Sequence, residues 1–303
     1  MPSEIAVRLR HDHITMSFFG TSYTKYQKID NRCRIFINGR GDSIVNGDYM
    51  EVFKKDYIET LFLVARIEDF DRFHAKLSFD ALQPPAEKPL NPADFHRFSD
   101  LLKTLETPDK KPLHVFVLDF SGMKIDVSCH IMSLVQPGFL KYVGIRSSYE
   151  TMDYHAIYKS MVEMEQWKMA KNLCVKEKFD FPLVGLFNAE RVDLHRKGIT
   201  PADLTRLKEG LLENKTLDYF FINFPFLSDS TRYEAAFGQC HEEKEESKRW
   251  FFEVPDSQTK CLEFTYISNK LSHTSTTNQV RKHLQLIKFS RINKTGIENA
   301  AYR

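Results

Sequence analysis

Cys129-His130 and Cys240-His241 each set a thiol beside an imidazole, the two groups from which a nucleophile and its base are made. Adjacent side chains diverge on helices and strands alike, so neither pair is a working dyad. A zinc centre needs four ligands at readable spacings, and the His and Cys residues offer no such set. His11 and His13 share a face if their segment is a strand, which describes a solvated pair better than a metal site. Gly39-x-Gly41 lacks the following helix and the downstream acid of a dinucleotide site and reads as a hairpin turn. Neither a Gly-x-x-x-x-Gly-Lys-Ser/Thr phosphate loop nor a His-Glu-x-x-His zinc motif occurs. Asp193 and His195 would become interesting beside a Ser or Cys in a deep pocket, as a hydrolase or transferase on an α/β sheet. No nucleophile elbow accompanies them. The residues therefore predict a non-enzymatic chain with no catalytic, cofactor-binding or metal-binding group.

Binding chemistry is better represented, and it depends on a recurring helix–strand unit. Residues Pro92-Ala-Asp-Phe-His-Arg-Phe98 return as Pro201-Ala-Asp-Leu-Thr-Arg-Leu207. Asn91 and Thr200 stand at matching helix caps, with Pro in the first turn and Asp94 or Asp203 just behind. Each copy leads to a strand of one pattern, Leu113-x-x-Phe116-x-Leu118 and Leu217-x-x-Phe220-x-Ile222. Three further copies start at Leu140, Ala170 and Ala189, giving intervals of 27, 30, 19 and 28 residues. A weaker copy ends in Leu77-x-Phe79. These intervals resemble leucine-rich repeats, in irregular form.

The prediction is an α/β fold: an irregular leucine-rich-repeat-like solenoid with a mainly parallel, curved sheet. An N-terminal β-hairpin or meander and a C-terminal antiparallel β cap flank it. The residues beside the apolar positions of each strand then point away from the helices. Among them Tyr142, Arg146, Lys176, Arg191, His195 and Tyr219 are the expected partner-binding residues, since Tyr and Arg anchor interfaces. The alternative is an ordinary solvated sheet face.

Bulk properties fit this reading. The 303 residues are 42% hydrophobic and 28% charged, with a net charge of +2. That balance points to a buried core and gives no sign of nucleic-acid or anionic-membrane binding. No apolar run reaches the length of a membrane span, and Met1–Arg10 has no apolar core of a signal peptide. Five widely spaced cysteines, an odd count, suit a reducing compartment, cytoplasmic or nuclear. The expected organisation is a β-rich segment over 1–50, the α/β core over 51–225, a charged connector and β cap over 226–295, and a frayed tail over 296–303. Expected helices run from Tyr49 to about Val64, over Cys129–Val135 and over Asp153–Met169. The mixed-charge run His241–Arg249 reads as a solvated helix or loop.

Glu163-Met-Glu-Gln-Trp-Lys-Met-Ala-Lys-Asn-Leu173 resembles the signature of the FTH domain, the F-box-associated domain expanded in nematodes. Gln136-Pro-Gly-Phe-Leu140, Gly198-Ile-Thr-Pro-Ala-Asp-Leu204 and Ile287-Lys-Phe289 are similar to other parts of it, so the likeness runs over roughly residues 50–295. The resemblance implies the substrate-binding region of an F-box protein in a Skp–cullin–F-box ubiquitin ligase, with an unknown protein target. No F-box is read before the first hairpin, so the Skp adaptor and cullin are expected as partners only with an F-box upstream. A standalone scaffold or decoy without a ligase is the alternative. In this motif Trp167 is expected to be a core residue.

Overall fold

The computed structural model describes residues 3–18, 22–65, 75–81, 90–105, 112–146, 155–176, 183–196, 198–224, 231–255, 257–270 and 283–293. They fall into two compact units, Met1–Ala170 and Lys171–Arg303. Both are α/β. Among the described residues no helix is long and apolar enough to cross a membrane.

The first unit opens with strands β1 (Ser3–Leu9), β2 (His13–Phe18), β3 (Ser22–Ile29), β4 (Arg32–Ile37) and β5 (Arg40–Asn46), paired antiparallel in sequence order. Asn38 and Gly39 both have positive φ (51° and 68°), as a tight two-residue hairpin turn demands and as Asn-Gly supplies. This is the meander of the two forms, hairpin or meander, expected for the segment, and it has five strands. Helix α1 (Tyr49–Ala65) follows, then strand β6 (Ala75–Asp80), helix α2 (Pro92–Lys103), strand β7 (Val117–Ser121), helix α3 (Ile125–Ser133) and strand β8 (Tyr142–Arg146). Strand β6 pairs in parallel with β1 on one side and β7 on the other, and β7 in parallel with β8. The meander is therefore continuous with the parallel strands, because β1 fills the position beside β6.

Alternation decides which face is buried. Leu77, Phe79, Leu118, Phe120, Val143 and Ile145 are all buried. Phe79 stacks on Phe120 and meets Tyr57 of α1 edge-on, and Phe53 of α1 packs against Tyr26 and against Phe98 of α2. Asn91 caps α2 by accepting a hydrogen bond from the Ala93 N–H, as its position predicts. The Leu61 and Val64 side chains expected on the α1 stripe lie outside the described residues, as does the chain end expected to fray.

Two boundaries differ from expectation. Helix α3 starts at Ile125, four residues early, because Ile125 and Val127 add buried contacts that extend the apolar face of Ile131 and Met132. The helix expected over Asp153–Met169 is two pieces, α4 (His155–Glu163) and α5 (Glu165–Lys168). Met164 between them is extended (ψ 136°). With that break, Trp167 is fully buried and the Gln166 amide donates to the Val135 carbonyl (2.9 Å). The Glu-Gln-Trp-Lys signature is thus one helical turn that seats a core tryptophan.

The second unit holds strand β9 (Asn172–Lys176), a single 3-10 turn (Leu183–Leu186), strand β10 (Arg191–His195), helix α6 (Pro201–Glu213), strand β11 (Tyr219–Phe224) and helix α7 (Thr231–Phe237). Strands β12 (Glu242–Lys244), β13 (Ser247–Glu253), β14 (Lys260–Lys270) and β15 (His283–Asn293) complete it. Strands β9, β10 and β11 are parallel, and β15 joins antiparallel to β11, followed by β14, β13 and β12. Thr200 and Asp203 form a reciprocal capping box on α6. The charge run expected as helix or loop is the β12–β13 hairpin. Its charges pair across the ribbon and with α7, as in Lys248 to Glu243 (3.0 Å) and to Glu234 (2.9 Å). Beneath it Tyr233 and Phe237 of α7 pack on Trp250, Phe264 and Phe289.

Because Trp167 is wholly enclosed, Trp167→Ala is expected to cost about 3–5 kcal/mol of unfolding free energy. Val184→Ala, at a position 71% exposed, is expected to change it by less than about 0.5 kcal/mol. Denaturant unfolding of the two variants checks both values.

Candidate functional site

The apolar sides of β9, β10 and β11 (Leu173, Val175, Val192, Leu194, Phe220, Ile222) are buried. Their other sides form rows fixed by parallel register: Asn172, Arg191 and Tyr219; then Cys174, Asp193 and Phe221; then Lys176, His195 and Asn223. Four of the predicted binding residues, Lys176, Arg191, His195 and Tyr219, therefore share one face of the second unit. Arg191 donates to Asp218 (2.8 Å) and lies over the Tyr219 ring (5.8 Å). Lys176 pairs with Asp193 at 3.3 Å, and His195 lies 3.9 Å from the same carboxylate. The antiparallel strands carry the rows onward through Ser290 and Glu263 in the first and Lys288, Thr265 and Arg249 in the second. Glu263 accepts from Ser290 and Thr265 and sits 3.6 Å from Arg249. The face is a lattice of charge pairs and hydroxyls broken by aromatic rings.

Cys174 brings a thiol into the row of Asp193, the neighbourhood that would suggest a hydrolase. The order of groups argues against that use. Asp193 stands opposite Cys174, with the Cys174 Sγ donating to its carboxylate at 3.8 Å, whereas His195 stands opposite Lys176. A nucleophile needs the imidazole itself within hydrogen-bond reach, and diagonal cross-strand neighbours are about 7–8 Å apart. Among the described residues no group of three or more His, Cys, Asp and Glu side chains is placed to hold a metal ion. His11 precedes β2 in a turn and His13 pairs with Asp12 (2.8 Å), so the two do not form a strand-face pair.

The first unit carries Tyr142 and Arg146. Register aligns its open face as Glu4, Lys76, Val117 and Tyr142; then Ala6, Ser78, Asp119 and Gly144; then Arg8, Asp80, Ser121 and Arg146. Arg146 pairs with Asp119, whose carboxylate lies over Gly144; a Cβ there would meet its Oδ1 and the Tyr142 ring. Ala6 and Ser78 of the middle row open a cleft of about 460 Å³, lined on one side by Glu4 and Lys76 and on the other by Arg8, Asp80, Ser121 and Arg146. Val115, placed beside this ladder by the repeat pattern, precedes β7 and is core instead. The sequence reading missed Arg8, Lys76 and Asp80. The signal for β1 was present in Glu4-Ile-Ala-Val-Arg-Leu-Arg10, which alternates outward and buried positions.

The family model described as FTH domain matches residues 96–239. That bears out the resemblance drawn from the sequence. The matched segment runs from α2 to the end of α7 and contains Glu-Gln-Trp-Lys and all six predicted binding residues. The cleft residues on β1 and β6 lie outside it. No curated protein and no solved structure matches the chain.

Burial holds the His195 pKa below its ordinary value; Asp193 opposes the shift and Lys176 adds to it. The unfolded chain therefore takes up the proton first, and stability falls as pH drops through about 6.5. His195→Gln is expected to flatten the fall over that window. Unfolding free energy measured against pH, wild type beside variant, reads the difference.

Proposed function

We propose that this chain is a non-enzymatic protein-interaction module whose outward strand faces receive a protein target. The FTH-domain match over residues 96–239 carries the reading, since that F-box-associated family suggests a protein-interaction role. The chemistry of the faces supports it. Arg191 and Tyr219 stack in the open at one end of the second unit's ladder, and Arg–Tyr pairs are common interface anchors. Lys176 and His195 add donors along the same face, and Tyr142 and Arg146 supply the corresponding groups in the first unit. The helix–strand units are read as an irregular, leucine-rich-repeat-like solenoid that serves to display these rows.

In the fuller form of the proposal the module presents a target to a Skp–cullin ubiquitin ligase, which requires an F-box in the same polypeptide. A scaffold or decoy acting inside the cell without a ligase is the other form. Proximity labelling with the full chain identifies the target, and co-purification of the Skp adaptor and cullin separates the two forms. Arg191→Ala/Tyr219→Ala is expected to lower target recovery at least about ten-fold, as loss of interface anchors does. Undiminished recovery by a folded double variant would remove the ladder from the proposal. Labelling that returns no target above background would sink the interaction reading itself.

A further inference from the structure

The cleft of the first unit takes Arg8, Lys76 and Asp80 from outside the matched FTH segment and Asp119, Ser121 and Arg146 from within it, and it has a chemistry of its own. Its shape follows from register. Ala6 and Ser78 make the middle row low on β1 and β6, Asp119 covers Gly144 at its far end, and Glu4, Lys76, Arg8, Asp80 and Arg146 in the rows on either side bear charged side chains. The result is a trough across β1, β6, β7 and β8. Strands stand about 4.8 Å apart, so three gaps span about 14 Å, room for about four extended residues.

Charge decides what the trough would hold. Its lining has four cations, Arg8, Arg10, Lys76 and Arg146, against three carboxylates, Glu4, Asp80 and Asp119. Three pairs form: Lys76 with Glu4 (3.0 Å), Arg10 with Asp80 (3.1 Å) and Arg146 with Asp119. Arg8 is left over. Among the described residues its exposed guanidinium makes no ion pair and no side-chain hydrogen bond. Two strands away in the same row, beyond Asp80, Ser121 is more than nine-tenths buried, lines the cleft, and has a hydroxyl with no hydrogen-bond partner among the described residues. One unmatched positive charge and one unmatched hydroxyl suit a single carboxylate. A phosphoryl group, with a charge of about −1.5 to −2, exceeds the surplus.

We propose that this trough binds an extended segment of a protein partner through one acidic side chain, with Arg8 pairing its carboxylate and Ser121 donating to it. The proposal rests on the interaction reading above and names the chemistry of the segment received.

Peptide titration of the full chain tests it, using Gly/Ser peptides of roughly eight residues, twice the length of the trough. One carries a central Glu, one Gln, one phosphoserine, and acetate alone serves as the small-anion probe. The Glu peptide is expected to bind at least about ten-fold more tightly than the Gln peptide, the value of one charge-assisted contact. Added salt is expected to narrow that ratio, because the surplus charge is exposed. Arg8→Gln, which breaks no native pair, is expected to abolish the preference with an unchanged melting temperature. Ser78→Leu, which fills the trough, is expected to weaken both peptides. Equal binding of Glu and Gln peptides, tighter binding of the phosphoserine peptide, or acetate binding as tightly as the Glu peptide would each overturn the proposal. If Glu and Gln peptides bind alike while labelling still returns a target, the trough is wrong and the interaction reading stands. If the Glu preference holds and labelling returns nothing, the acid-binding chemistry of the trough stands while its protein partner, and with it the interaction reading, is overturned.

Discussion

A strand side chain must point to one face of its sheet or the other, and the parallel strands of each unit, β6 to β8 in the first and β9 to β11 in the second, have one face entirely apolar. Thirteen residues, from Leu77 on β6 to Phe224 on β11, are each at most 3% exposed. Each such residue contributes about 1.5–3 kcal/mol on burial, and a register slip by one position would surrender the whole set. That constraint fixes the register of neighbouring strands, and register in turn places the outward residues in rows. The ladder of Arg191 with Tyr219, the pairing of Arg146 with Asp119 over Gly144, and the trough floored by Ala6 and Ser78 are all consequences of it.

The outward rows are rich in ion pairs, yet such pairs do little for stability. Partly exposed pairs such as Arg191 with Asp218 or Lys171 with Glu190 are worth about 0–1 kcal/mol. A face held together this weakly is free to exchange its partners for those of a ligand. The buried face carries the fold, and the open face is the one on which the proposed recognition rests. Asp193 shows how the same geometry limits chemistry: opposite Cys174, it keeps the imidazole of His195 one row away, so three reactive side chains do not assemble into a nucleophile and base.

Legibility varied with the range of the interaction. Asn91 and Thr200 were readable as caps because a cap bonds within three residues of itself. The Leu-x-x-Φ-x-Φ strands were readable because alternation is local, and their apolar positions are buried as expected except Phe116, which precedes β7 and is half-buried while Val115 takes the core position. The break at Met164 was not readable, since it exists to seat Trp167 and to let Gln166 reach Val135, 31 residues away. The His241–Arg249 run reads as a solvated helix or loop because a run of mixed charges carries no apolar alternation to mark a strand. Its hairpin form depends on β14 and on Glu234 of α7.

By itself the sequence determined the α/β class, the starts of α1, α2 and α6, the apolar side of the repeated strands, and the likeness to the FTH domain in Glu-Gln-Trp-Lys. Those features are written in neighbouring residues. Only the tertiary structure decided that β1 pairs with β6, more than seventy residues away, and that β15 closes against β11. Long-range pairing of that kind leaves no local trace, because any alternating strand can pair with any other until loops and helices restrict the choice. The trough exists for the same reason: Arg8, Asp80, Ser121 and Arg146 come from four strands, and only register sets them in one row.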